Sequence, residues 1–600
     1  MYRQDIDSIK GIAIIAVVLF HLGLLKSGYL GVDAFFVING FFVIPSMIKH
    51  ISANTFSYFG FVQKRLMRLY PLILIATTFC LFIGYVGMLP DNYENIGQAV
   101  VASNLMSENI LSAITTHDYW NVANDYNPLM HLWYVGILVE FYLVSPLFFL
   151  IAKKIPNGGN IEKTQTLTLW ALTLLSLALY LIPIVGANKF YFLQYRFFEL
   201  GAGGLIGLYM SGTAVGGGKT KLSYLVILGL AFMLFSSLIS QDYKSLGCLP
   251  IVVTNDVPLM SDGMLMPRMV LLLGTVVLTM LCIIKTIPAG ILNNKALAYI
   301  GKMSFSIFIW HQIFLAFYRY FVTNEISVLF FLLYAIIVGF VSFITYKYVE
   351  QRIKVTTKNT IVTVIASVLL TIGGGLVYLK AGVVRDVPEL NITTDNAHRG
   401  MHGEYCDRIY EYNKDFPSNK AGKMNVLVSG ISYGRDMANV ILESIYADSI
   451  NLSYVYKWDE SYINRIQEAD YIFTFNNKDK VPDYVWANVH PTTKVYGIGS
   501  KHFGLCNGIA YTHRFEADYF NYSEPLHPIY KSINEDWKTQ WGDEYVDFIA
   551  MSTLPNGEIR VFTDDHKFIS QDCYHLTQAG ARWFAKQIVW KKYFKYYGSN

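Results

Sequence analysis

Charge is scarce in this chain: Asp, Glu, Lys and Arg supply 15% of its 600 residues, against 53% hydrophobic ones. That balance is too apolar for an ordinary globular protein of this size. The shortage is uneven. Nearly all the apolar excess lies before residue 380, and no later apolar run is long enough to cross a bilayer, so two architectures share one chain. Cysteine is sparse as well, and no spacing among the six suits a metal site. Cys80 and Cys282 fall in apolar stretches. Cys406, Cys506 and Cys573 fall in the last third, where one disulfide with a thiol left over and free buried thiols are both open. A formal net charge of +4 is too small to imply nucleic-acid binding. No cleavable leader is expected, because Asp5 and Asp7 accompany Arg3 and Lys10 ahead of the first apolar stretch and no small-residue cleavage site follows it.

About eleven stretches have spanning or nearly spanning length, near 9–25, 31–48, 71–89, 132–152, 167–185, 197–211, 222–240, 268–287, 303–322, 326–346 and 360–379. The first and sixth are short of the roughly 20 residues that a hydrocarbon core requires. Lys and Arg concentrate in alternate loops, among them Lys49, Lys64, Arg65 and Arg68, then Lys153 and Lys154, then Lys347, Arg352, Lys354 and Lys358. Segment 90–131 has neither, but holds Asp91, Glu94, Glu108, Asp118 and Asp125. The asymmetry predicts a cytoplasmic N-terminus and, with an odd number of spans, export of residues 380–600.

Two histidines stand inside this apolar half, His21 and His311. Ionisable groups in hydrocarbon cost at least about 2–3 kcal/mol each, which points to a protein-lined reaction or transport path. His21 lies about 16 Å of helix beyond Lys10 and therefore toward the outer side. A neutral imidazole there could take a proton from an attacking hydroxyl, or could instead satisfy a neighbouring helix backbone. For His311, next to Trp310, interhelical hydrogen bonding is an equal alternative, and His131 at the membrane edge is a weaker candidate still. Arg65 and Arg68 are three apart and share a helix face, suiting phosphate groups or simple positive-inside anchoring. Arg196 and Glu199, another same-face pair, read as a structural ion pair between helices. Gly31, Gly40 and Gly301 read as close-packing positions.

Asp7-Ser-Ile-Lys10-Gly with His21 after it, and Gly31-Val-Asp-Ala-Phe-Phe-Val-Ile-Asn-Gly-Phe41, resemble the membrane acyltransferase-3 family. So do Lys64-Arg65-Leu-Met-Arg68-Leu-Tyr-Pro71, His131-Leu-Trp133 with Phe141-Tyr142, Arg196-Phe-Phe-Glu199, Ser304-Phe-Ser306 with Trp310-His311, and Tyr348-Val-Glu350, in family order across residues 5–352. The resemblance implies transfer of an acyl group, usually acetyl, from cytoplasmic acyl-CoA to envelope carbohydrate. It carries His21 as the catalytic histidine, Lys10, Arg65 and Arg68 as acyl-CoA ligands, and His311, Arg196 and Glu199 as support. Two positions depart from the family. Lys10 replaces its usual arginine, and Leu138 its usual glutamate, while Glu140 stands where glutamine is common.

Residues 380–423 are polar and irregular, read as an extension packed on the domain that follows. From Met424 the pattern becomes α/β: Met424–Ser429, Tyr471–Phe475 and Lys494–Ile498 read as strands of a mostly parallel sheet in a three-layer fold. Ser432 comes directly off the first of them, where a strand end and a helix N-terminus favour developing negative charge. Near the C-terminus, Asp572 and His575 precede a helix, and an Asp and His three apart can both turn toward one serine. A serine after the first strand with a late Asp-x-x-His-Leu-Thr resembles the SGNH hydrolase and transferase family. The resemblance makes Asn476 or Asn477 oxyanion donors, with the Gly497 or Gly499 amides as alternatives. The usual aspartate before the serine is here Ile431. A serine in a turn with a DxxH helix cap is the alternative that carries no catalysis.

The expected architecture is therefore a polytopic α-helical membrane domain, 1–355, an additional span, 356–383, an extension, 384–423, and an exported SGNH-like domain, 424–600. The expected activity is O-acetyl transfer at a bacterial inner membrane with acetyl-CoA as donor and no bound cofactor or metal. The acceptor is an envelope polysaccharide or its lipid-linked precursor, O-antigen of lipopolysaccharide before exopolysaccharide and peptidoglycan. A glycan O-acetyl esterase and a transporter or flippase are the alternatives.

Overall fold

The computed structural model describes residues 3–115, 126–155, 161–182, 189–212, 275–276, 279, 294–420, 422–570 and 572–594. They form two compact units, one of Met1–Gly84, Asn95–Arg319 and Glu325–Leu376, the other of Tyr85–Glu94, Tyr320–Asn324 and Val377–Asn600.

The first unit is helical: α1 (Gln4–His21), α2 (Gly31–Ser52), α3 (Tyr58–Gly87), α4 (Pro90–Asn104), α5 (Glu108–Thr115), α6 (Trp133–Ala152), α7 (Ile161–Leu181), α8 (Leu193–Gly212), α9 (Lys295–Lys302), α10 (Ser304–Phe321), α11 (Val328–Thr345) and α12 (Thr357–Leu379). Among the described residues six helices are long and apolar enough to cross a membrane, or seven if α9 and α10, bent by 69°, form one span. The chain is thus a multi-pass membrane protein. The expected stretch 222–240 and nearly all of 268–287 lie outside the described residues.

Two boundaries differ from expectation for clear reasons. The first helix starts at Gln4 and ends at His21 rather than running to 25. Gly23 takes a positive φ of 74°, a left-handed stop hidden among apolar neighbours. The third starts at Tyr58 instead of Pro71, and Pro71 sits within it. A proline inside a membrane helix is tolerated where neighbours satisfy the freed backbone. Lys64, Arg65 and Arg68 are therefore helical. At Gly40 and Gly301 backbones touch: an added Cβ would overlap the Leu200 carbonyl in one case and the Asp7 carbonyl in the other.

The second unit carries a five-stranded parallel sheet of order β2-β1-β3-β4-β6, with β1 (Met424–Ser429), β2 (Ile450–Val455), β3 (Tyr471–Thr474), β4 (Lys494–Ile498) and β6 (Tyr545–Val546). All six residues of β1 are buried, as a central parallel strand requires. A separate antiparallel pair joins β5 (Ser523–Pro525) to β7 (Glu558–Arg560). Of the helices, α13 (Ser432–Leu442) follows β1, α14 (Pro528–Trp541) precedes β6 and α15 (Gln578–Gln587) closes the unit. Val387 and Leu390 of the extension pack with Tyr511, Tyr519 and Phe562. Cys80, Cys406, Cys506 and Cys573 are free and buried.

Candidate functional sites

In the first unit three histidines meet. The ring centroids of His21 and His311 are 5.1 Å apart, and those of His131 and His311 5.5 Å. His131 is the weakest of the three candidates in sequence, and only the fold brings it here. His311 Nδ1 lies 2.7 Å from the Phe308 carbonyl. A carbonyl only accepts, so Nδ1 carries the proton and the lone pair of the neutral ring is on Nε2, which is buried without a hydrogen-bond partner among the described residues. Two contacts fix the backbone here: Arg319 Nη2 donates to the His21 carbonyl at 2.8 Å and Tyr334 Oη to the His311 carbonyl at 2.8 Å.

Arg196 and Glu199 serve a different place. Arg196 Nε lies 2.8 Å from Glu199 Oε1 along α8, its Nη2 donates to Asp33 of α2, and its guanidinium sits 5.3 Å from the rings of both Phe36 and Phe190. The interhelical partner of the arginine is therefore Asp33. Glu140 accepts from Asn109 Nδ2 at 2.7 Å, and Leu138 is buried core.

A cavity of about 170 Å³ opens between α3 and the segment after α11, lined by Lys64, Met67, Arg68, Leu72, Glu350 and Ile353 among others. Of the three expected donor ligands only Arg68 lines it. Arg65 turns instead to the Phe61 and Tyr142 rings, 5.4 and 5.7 Å away, and Lys10 pairs with Asp7 at 3.2 Å. Lys64, four residues before Arg68, is the lining cation that the sequence reading did not single out. Glu350 accepts from Ser306, Thr345 Oγ1 donates to Ser306 at 3.2 Å, and Trp310 Nε1 donates to Thr345 at 3.2 Å. One hydrogen-bonded chain thus runs from the cavity wall to the residue beside His311.

In the second unit β1 lies between β2 and β3, all parallel, so the order in which strands are added to the sheet switches sides there. Open parallel sheets bind ligands in the crevice outside the strand ends at such a point. Ser432 is the first residue of α13, half-buried just past that end of β1. The turn that delivers it passes through Gly430, whose φ of 140° and closeness to Phe475 exclude a side chain. Tyr454 Oη donates to the Gly430 carbonyl at 2.7 Å and pins the turn.

Asp572 and His575 do more than cap a helix. His575 Nδ1 lies 2.6 Å from Asp572 Oδ2, while Asp572 Oδ1 accepts the backbone N–H groups of Tyr574 at 3.0 Å and His575 at 2.8 Å. Partial desolvation alone would raise the Asp572 carboxyl. The charge and ring N–H of His575, with the two amides, outweigh it and hold the group down at about 2. A carboxylate only accepts, so Nδ1 carries the proton and Nε2 is left facing away from the aspartate. The cap of α15 is Thr577, accepting from Gly580 N at 3.0 Å.

The end of β3 adjoins that of β1, Phe475 N donating to the Ser429 carbonyl at 3.0 Å. Asn476 follows directly, its Oδ1 taken by Thr474 Oγ1 at 2.9 Å and its carbonyl by Trp541 Nε1 at 3.0 Å. Asn477 Oδ1 is buried without a hydrogen-bond partner among the described residues. The glycine alternatives do not serve. The Gly499 amide is spent on the Val546 carbonyl at 2.9 Å, and Gly497 lies within β4, paired on both sides.

A family model described as an acyltransferase domain matches residues 3–347. The O-acetyltransferase OatA of Staphylococcus aureus (strain NCTC 8325 / PS 47) is 26% identical over 368 residues, 59% of this chain and 57% of that protein. A putative O-acetyltransferase, SAS0844, of Staphylococcus aureus (strain MSSA476) is 24% identical over 349 residues, 54% of this chain and 53% of its own length. The chain thus spans about half the length of the curated relatives it matches. No solved structure matches.

Proposed function

The chain belongs to the acyltransferase family whose domain fills residues 3–347, and on that premise we propose that it is a two-site O-acetyltransferase of the bacterial inner membrane. The membrane domain, with up to eleven spans, takes acetyl from cytoplasmic acetyl-CoA. The cavity beside Lys64 and Arg68 supports a donor site there, since cations beside an apolar wall suit the phosphates and the chain of acyl-CoA. His21 is the base at the outer end of this path, with His311 and His131 as its neighbours.

The exported SGNH-like domain completes delivery to a hydroxyl of an envelope glycan, O-antigen of lipopolysaccharide first, on the polymer or its lipid-linked precursor. Ser432 Oγ attacks the acyl carbonyl and His575 Nε2 takes its proton; the new ester forms as the bond to the acyl carrier breaks, and the carrier leaves with that proton. A glycan hydroxyl then gives its proton to His575 and attacks the acyl-serine, freeing Ser432. Two moderate steps replace one difficult one. Asn476 or Asn477 donates to the oxyanion. The observation that carries the reading is the Asp572–His575 pair at 2.6 Å in a unit whose β1 delivers Ser432 on a helix N-terminus.

The half-exposed pair would also suit a glycan O-acetyl esterase, in which water replaces the sugar. The attached acyltransferase domain favours transfer, and it also favours an enzyme over a transporter or flippase. Purified full-length protein given labelled acetyl-CoA separates the three. Transferase activity puts label on the glycan, an esterase puts none there but releases acetate from an already acetylated glycan, and a transporter does neither.

A further inference from the structure

The second unit holds a buried ion pair that the proposed reaction does not use. Lys501 Nζ lies 2.7 Å from Asp436 Oδ2, and each side chain is 1% exposed. Two charges taken out of water are weak support for stability, because apolar residues of similar volume often do as well. What sets this pair apart is what else its members touch. Asp436 Oδ2 accepts the Leu576 N–H at 3.0 Å. Lys501 Nζ donates to the Tyr574 carbonyl and stands 3.8 Å from the centre of the Tyr433 ring, while Tyr433 Oη donates to the Lys501 carbonyl at 3.4 Å.

Tyr433 and Asp436 belong to the first turns of α13, right after Ser432, and Tyr574 and Leu576 flank His575 on either side. One ammonium and one carboxylate therefore tie the helix that presents the serine to the loop that presents the imidazole. Ser432 and Asp436 are four apart on one helix face, about 5–6 Å between their side-chain bases. Ile431, directly before the serine, has no polar side-chain atom with which to make such a tie.

We propose that Asp436 and Lys501 are positioning residues of the exported site: together they hold the Asp572–His575 loop in register with the Ser432 hydroxyl. Neither touches substrate. A fixed loop keeps His575 Nε2 in reach of Oγ, and misplacing a base by about 1 Å costs about 100-fold in rate. The proposal rests on Ser432 being the nucleophile.

The test uses full-length protein and a fluorophosphonate, which labels a serine only when a neighbouring base activates it. Labelling of the wild type that is absent in Ser432→Ala supports the nucleophile itself. The paired variant Asp436→Leu/Lys501→Met keeps side-chain volume and leaves no charge unpaired, but removes both ties. It is expected to unfold at nearly the wild-type temperature and to be labelled about 100-fold more slowly. The loss should lie in the maximal rate, not in the probe concentration giving half of it. Lys501→Arg, which keeps the charge, should regain part of that rate. A paired variant labelled at the wild-type rate overturns the positioning role while leaving Ser432 in place. Should that variant fail to fold, the near-isosteric Asp436→Asn decides in its stead, slower labelling per folded molecule supporting the role and an unchanged rate overturning it. A wild type that is not labelled at Ser432 removes the nucleophile, and the positioning role with it.

Discussion

Asp572 accepts three hydrogen bonds and is held down at about 2, and this fixes how the proposed site of the second unit responds to acid. A carboxyl whose folded value is depressed adds stability that is complete above its unfolded value, about 3.9, and is lost as the pH falls through the folded one. Acid unfolding of wild type and Asp572→Asn should therefore differ by a constant amount above pH 4 and converge toward pH 2. A difference unchanged down to pH 2 would show that the pair carries no such linkage. For catalysis, Ser432→Ala and His575→Ala should each lower turnover of an activated ester by about 10⁴-fold or more, and Asp572→Asn by a similar or smaller factor, since aspartate orients and does not attack. In the membrane unit, His21→Ala should abolish glycan acetylation with insertion intact; normal acetylation by a well-expressed variant would return His21 to a packing role.

Arg196 joins α2 and α8, and the cavity wall joins α3 to the segment after α11, so these two contacts are tested as elements. Arg196→Ala leaves Asp33 and Glu199 buried without their cation and should cost about 3–5 kcal/mol in stability, read as lost thermal stability in detergent. Arg196→Met with Asp33→Leu and Glu199→Leu should recover much of it; no recovery would give the arginine a role beyond pairing. At the cavity, Lys64→Gln and Arg68→Gln should each raise the KM for acetyl-CoA about tenfold, the scale of one charge-assisted hydrogen bond, while Arg65→Gln changes it least. Equal effects at Arg65 would place the donor elsewhere. Sequence periodicity made the long apolar helices readable, together with β1 and β4, whose buried runs end in turn residues. It missed β2, where Asn451 and Ser453 interrupt the run, and β6, only two residues long. The helical Pro71 breaks a local rule that neighbouring helices override, and the stop at Gly23 is masked by the apolar residues that run on past it.

Across the whole molecule, residues close in sequence were legible and residues joined by the fold were not. Asp572 and His575 are three apart, so their pairing could be foreseen; Asp436 and Lys501 are 65 positions apart and only the sheet brings them together. The one available hint was a charged residue on the buried face of α13, beside Met437 and Ala438. His131, His21 and His311 come from three separate helical segments and met only in three dimensions. Topology is a molecule-scale claim as well. With α12 between them, a reporter fused after residue 355 should be active only inside the cell and one after 390 only outside; the reverse would overturn the orientation drawn from the basic loops. The central claim, that acetyl passes from a membrane site to Ser432 and then to a glycan, is tested most directly with purified full-length Ser432→Ala, labelled acetyl-CoA and an envelope glycan. The account predicts that the variant still consumes acetyl-CoA while the glycan stays unlabelled; glycan labelled by Ser432→Ala at the wild-type rate would contradict it.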